Sequence, residues 1–97
     1  MRFNFSWDPR KAQLNPVKHG VTFVQATSIF SDPNMLSIFD EGHSSSGEDR
    51  WITLGISSTG ALLVVHHTYV QIDGMTAAIR IISSRKATIQ EQRQYLE

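Results

Sequence analysis

The residues best suited to chemistry in this chain are arginines, a lysine–histidine pair and two adjacent histidines. Arg80 interrupts an apolar run from Ile79 to Ile82, and Arg85 closes the same run. Strand parity groups Arg80 with Ala78 and Ile82 and turns it away from the Ile79–Ile81 row. A guanidinium there can serve as a salt-bridge partner for a neighbouring strand or as a bidentate phosphate ligand, and spacing leaves both roles open. Lys18-His19-Gly20 closes a helical stretch, where both cations also complement the helix dipole. His66-His67 fall in a strand, so their side chains point to opposite faces and cannot chelate one ion together. His19 and His43 lack metal-ligand spacing, and there is no cysteine. The expectation is no metal site and no cofactor. The absent thiol also excludes a disulfide scaffold and a cysteine nucleophile.

The elements that must position these groups follow from local pattern. Phe3-Asn4-Phe5-Ser6-Trp7 alternates as a short strand. Asp8-Pro9 reads as a helix cap and first position, with a helix through Arg10–Leu14. Pro16 is expected to break or restart that helix, with Asn15 capping the restart and Gly20 stopping it. Thr22 and Gln25 have capping-box spacing, and Phe23, Ala26, Ile29 and Phe30 share one helical face. Strands are predicted at Met35–Asp40, Arg50–Ser57, Ala61–Val70 and Met75–Ser83. Thr88 and Glu91 open a C-terminal helix through Leu96. Trp7 and Trp51 read as core or interface residues. The expected layout is one α+β domain over residues 1–97, in the order β-α-α-β-β-β-β-α. It is an antiparallel sheet of about four to five strands with helices on one side.

Composition narrows the class further. The chain has 97 residues, 40% hydrophobic and 19% charged, which fits an ordinary small globular domain. Net charge is zero but unevenly spread. Arg2, Arg10, Lys11 and Lys18 face only Asp8 in the first third. Asp32, Asp40, Glu41, Glu48 and Asp49 lie in residues 32–49 with no base among them. Arg50, Arg80, Arg85, Lys86 and Arg93 outnumber the acids that follow. If the two basic segments meet, they form a positive patch suited to a polyanion. The acidic Glu41–Asp49 stretch, with three serines and two glycines, reads as a solubilising loop, a poor scaffold for a Mg²⁺ site. The N-terminus shows no secretory h-region, and no apolar run approaches a membrane span.

A set of residues in order then carries a family resemblance. Phe5-Ser6-Trp7-Asp8 is followed by Lys11, and Asn15 leads into Lys18-His19-Gly20-Val21, Phe23, Ala26, Phe30 and Asp32. Arg50 opens a strand that runs to Gly55. Ile79-Arg80-Ile81-Ile82-Ser83 runs into Arg85-Lys86-Ala87, then Glu91, Arg93 and Tyr95. The whole set resembles the BrnT toxins of BrnT/BrnA type II toxin–antitoxin systems. The chain departs from that pattern at Ser84, where Ala is common, and at Val70-Gln71, where an Arg is common. His67 stands at a position often aromatic, and Pro16 lies in a segment usually helical.

The resemblance implies a RelE-like fold and a cytoplasmic ribonuclease that inhibits translation. It also implies a BrnA-like ribbon-helix-helix antitoxin, expected as a heterotetramer of two toxins on an antitoxin dimer. Operator DNA would be bound only through the antitoxin, with no membrane role. For metal-independent RNA cleavage, a base must take the 2′-hydroxyl proton, an acid must protonate the leaving 5′-oxygen, and cations must hold the phosphate. The candidate catalytic residues are Arg80, Arg85, His67, Lys18 and His19, and the candidate RNA contacts are Arg50, Arg93 and Tyr95. A rival reading is a catalytically weakened binding module that serves as antitoxin partner and operon corepressor. A third is an α+β interaction domain of no nuclease ancestry.

Overall fold

A computed structural model describes residues 1–97. Strand β1 (Arg2–Trp7) leads into α1 (Pro9–His19) and α2 (Phe23–Ser28), which runs on into a 3-10 turn at Ile29–Ser31. Strands β2 (Leu36–Phe39), β3 (Arg50–Ile56), β4 (Leu62–Thr68), β5 (Val70–Gln71) and β6 (Thr76–Lys86) follow, then α3 (Ile89–Leu96). The sheet order is β1-β6-β4-β3-β2, with β5 also paired to β6. The α+β layout is the one expected, but the sheet is mixed. β2, β3, β4 and β6 pair antiparallel, whereas β1 lies parallel to β6. Alternation in residues 3–7 fixes only which side chains face inward. The crossover through two helices decides the direction of pairing.

Helix α1 begins as the cap chemistry predicts. Asp8 accepts from the Arg10 amide at 2.8 Å, Pro9 fills the first turn, and Gly20 stops the helix at φ 68°. Pro16 does not break it. Its missing N–H removes one bond near the end of the helix, while Gly20 still donates to the Pro16 carbonyl at 2.8 Å. Asn15 is not a cap either; it is buried and faces the sheet. Both capping boxes, Thr22–Gln25 and Thr88–Glu91, form in full.

The core lies between the helices and one face of the sheet. Val21, Phe23, Ala26, Ile29 and Phe30 meet Leu63, Val65, Ile79 and Ile81 there. Each fully buried valine, leucine, isoleucine or phenylalanine among them contributes ~1.5–3 kcal/mol. Gly55 permits the closest approach: a Cβ there would lie 3.0 Å from Ile29 Cβ and 3.2 Å from the Ile29 carbonyl oxygen. On the second face, Leu54 and Val64 are buried as well. Helix α3 covers that end, tied to β6 by Arg85–Glu91 and to the end of β3 by Tyr95 through Asp32.

The pairing of β4 with β6 shifts register between His66 and His67. His66 pairs with Ser83 and His67 with Ile81, so Ile82 is an extra residue. This bulge restores Ser84 to the core face opposite Val65. It turns Arg85, opposite Val64, onto the same face as Arg80.

Candidate active-site groove

Two shallow cavities meet on either side of Ile82 and Ser83. One, about 260 Å³, is lined by Lys11, Asn15, Lys18 and His19 of α1 together with Ile82 and Ser83. The other, about 220 Å³, lies on the second sheet face, where Asp40, His43, Arg50 and His66 surround the same Ile82 and Ser83. The bulge therefore borders both cavities, one beside the end of α1 and one on the second face of the sheet, and the two together are the candidate groove.

The α1 side is positioned by an unusual strand partner. β1 ends where Trp7 meets Ile81, but β6 continues to Lys86, leaving its edge without a strand. The Asn15 side chain fills the gap. Its amide nitrogen donates to the carbonyls of Ser84 and Val21, both at 2.8 Å, and its oxygen accepts from the Ser84 amide at 3.2 Å. Lys18 and His19 follow within a turn and are held beside Ser83 by that lock.

The histidines separate as their parity requires: both border the second cavity, but only His66 is partly exposed there. His67 is a core residue, 3% exposed. Its Nδ1 donates to the Thr68 carbonyl at 2.9 Å, which leaves Nε2 to accept from the Thr53 hydroxyl at 2.6 Å. Ser37 in turn bonds Thr53 at 2.7 Å, and Phe30 packs edge-on at 4.9 Å between ring centres. Desolvation lowers the His67 pKa and keeps the ring neutral. With both nitrogens engaged inside the core, His67 cannot be the proton shuttle expected from sequence. His66 occupies the groove instead. Its pKa is lowered by partial burial and by the Arg85 charge, opposed by Asp40. It is a neutral imidazole at neutral pH, open to accept a proton. From the sequence alone His66 suggests nothing beyond a metal ligand, a role its opposite orientation to His67 excludes for the pair. The available signal was the aromatic residue common at position 67, which marks that side chain as core.

The arginines gather on the His66 face, each with an acid. Glu48 bridges two of them, at 2.6 Å to Arg80 and 3.3 Å to Arg50. The Arg80 side chain is 47% exposed, a surface guanidinium turned away from the Ile79–Ile81 row. Arg85 makes a two-pronged contact with Glu91 at 2.7 and 2.9 Å. That contact raises the Arg85 pKa and lowers Glu91 to about 2, chiefly through the hydrogen bonds between them. Arg85 thus docks α3 while still facing His66. Asp40, which follows β2, bonds His43 Nδ1 at 2.9 Å at the groove rim.

The two α3 candidates lie elsewhere. The Tyr95 hydroxyl donates to Asp32, which also accepts from the Ile56 amide at 2.8 Å. The bond to Asp32 raises the Tyr95 pKa. Burial would raise Asp32, but its hydrogen bonds from Ile56, Tyr95 and Asn34 outweigh that and lower it. Tyr95 is thereby occupied in fastening α3 to the end of β3. Arg93 is exposed in the last turn of α3. No three histidine or carboxylate side chains converge as a metal site, and no helix is long and apolar enough to cross a membrane.

Such a groove offers guanidinium and ammonium groups for phosphate and a neutral imidazole among them. Comparison with known proteins bears on this chemistry. No curated protein matches the sequence. Among solved structures, the crystal structure of the Brucella abortus ribonuclease toxin BrnT is similar in fold. The match has a TM-score of 0.59 and 22% identity, over 91% of this chain and 99% of that one. The family described as the ribonuclease toxin BrnT of type II toxin–antitoxin systems matches residues 7–91, from Trp7 through the helix-docking Glu91. That span takes in the whole groove, and the chain belongs to the BrnT family of ribonuclease toxins of type II toxin–antitoxin systems.

Proposed function

We propose that the groove over Ile82 and Ser83 cleaves RNA without a metal ion, with His66 as the base. His66 takes the proton from a ribose 2′-hydroxyl, and O2′ attacks the adjacent phosphorus. The P–O5′ bond breaks, and the 5′-oxygen takes a proton from His19 or Lys18 across the groove. The products are a 2′,3′-cyclic phosphate and a free 5′-hydroxyl. Arg50, Arg80 and Arg85 stabilise the charge on the phosphate, each such donor being worth ~10²–10³ in rate. The carrying observation is the placement of His66 on the same sheet face as three arginines. The toxin acts in the cytoplasm, and a BrnA-like ribbon-helix-helix antitoxin masks it and carries the pair to operator DNA.

The test is RNA cleavage by purified toxin in saturating EDTA, with end-group analysis of the products. Cyclic phosphate ends that vanish with His66→Ala support the reading. Activity abolished by EDTA and restored by one divalent ion overturns it.

One observation favours a second reading, a weakened toxin that serves as antitoxin partner and corepressor. Glu48 and Glu91 already occupy all three arginines of the face in ion pairs. In that reading expression of the chain alone leaves growth unaffected, whereas an active ribonuclease arrests it.

A further inference from the structure

We propose that the open edge of β2 receives an extended segment of the antitoxin as an added strand, apolar at alternate positions and flanked by lysine or arginine. The proposal rests on the toxin–antitoxin reading of the partner. β2 is the outermost strand, paired only with β3. Asp40 donates to the Arg50 carbonyl at 2.8 Å, which makes that pair hydrogen-bonded. By antiparallel alternation Ile38 and Leu36 also bond inward. The amides and carbonyls of Ser37 and Phe39 therefore point outward, free to pair.

Protein edges are ordinarily blunted by lysine, proline or a bulge. This one, Leu36-Ser37-Ile38-Phe39, has none of them. Leu36 is 44% exposed, Ile38 63% and Phe39 42%. On its inner face the strand borders an apolar cavity of about 200 Å³ that runs under the sheet from Met35 and Ser37 to Phe3 and Tyr69. Strand addition supplies main-chain bonds along the edge, with pockets for alternate side chains.

Charge selects the occupant. Asp32 precedes the strand and Asp40 and Glu41 follow it, with no lysine or arginine between them. They attract a segment with basic ends.

The experiment co-expresses the full-length toxin with the ribbon-helix-helix protein encoded beside it and measures the affinity of the purified pair. Ile38→Lys places a like charge against the basic segment; Ser37→Pro removes one outward N–H. Each variant is checked by its thermal melt. The expected result is a wild-type complex with slowed amide exchange at Ser37 and Phe39, and affinity at least about 100-fold lower for a variant that melts normally. Equal affinity for a normally melting variant overturns the edge proposal and leaves the partner reading intact. Slowed exchange at the edge from added RNA, or self-association of the lone toxin lost in Ile38→Lys, also overturns it. Absence of any wild-type complex overturns both.

Discussion

The carboxamide of Asn15 takes the place of a missing strand beside Ser84. It makes the two main-chain bonds that β1 would have made had it continued, and a third to Val21. The link joins residues 69 positions apart and sets the end of α1 against the bulge in β6. The groove exists because these two elements are held together there.

Asn15→Ala leaves the Ser84 amide and the Ser84 and Val21 carbonyls without these partners. The expected cost is ~2–4 kcal/mol, by addition of modest net bonds and the penalty for unpaired groups. Chemical denaturation checks it, and a loss under about 0.5 kcal/mol would show that solvent replaces the carboxamide.

Ser84 carries the opposite expectation. Its hydroxyl is fully buried and has no hydrogen-bond partner. Ser84→Ala removes an unsatisfied group and should raise stability by about 1 kcal/mol, with the Asn15 bonds intact because they involve only the main chain. A lower melting temperature would count against this account.

Neighbouring histidines should separate cleanly by phenotype. His67→Ala opens a hole beside Phe30 and strands the Thr53 hydroxyl, at a cost of ~2–4 kcal/mol. His66→Ala should melt close to the parent while cleavage falls by ~10² or more. Paired melting and cleavage measurements decide the matter. Full activity in a folded His66→Ala protein would remove that ring from the chemistry.

Arg80 is a surface ion pair, so Arg80→Ala should cost under ~1 kcal/mol. A buried guanidinium left without its acid would have involved ~3–5 kcal/mol. Cleavage should nevertheless drop by ~10² if the side chain meets phosphate. Glu48→Gln should strengthen RNA binding, because it releases Arg80 and Arg50 together; binding titrations with both variants read the two effects.

Acid should unfold the protein in two stages. His67 has a folded pKa below its ordinary 6.5, so the stability tied to its neutral ring is complete above that value and is lost as pH falls through the lowered pKa. Glu91 falls from 4.5 to about 2, so its contribution is present above pH 4.5 and disappears toward pH 2. For a partly exposed pair that contribution is ~1–2 kcal/mol. Melts from pH 7 to pH 2 should lose the second stage in Glu91→Gln and keep the first.

Local signals were fully written in the sequence. Caps at Asp8, Thr22 and Thr88, the stop at Gly20 and the apolar face of Phe23, Ala26, Ile29 and Phe30 each depend on residues within a few positions. So were the opposite faces of His66 and His67, which follow from a period of two. Which of those faces was the core was not written there, because periodicity has no sign. Tertiary packing decided it, by setting Phe30 against His67. Packing also decided the direction of β1 and the survival of α1 through Pro16. The arginines show the limit most plainly. Counting alternate residues from Ile79 puts Arg85 on the core side, and a single extra residue at Ile82 reverses it. A bulge is fixed by how two strands distant in sequence come into register. No local pattern carries that information, so the gathering of Arg50, Arg80, Arg85 and His66 on one face belonged to the fold alone.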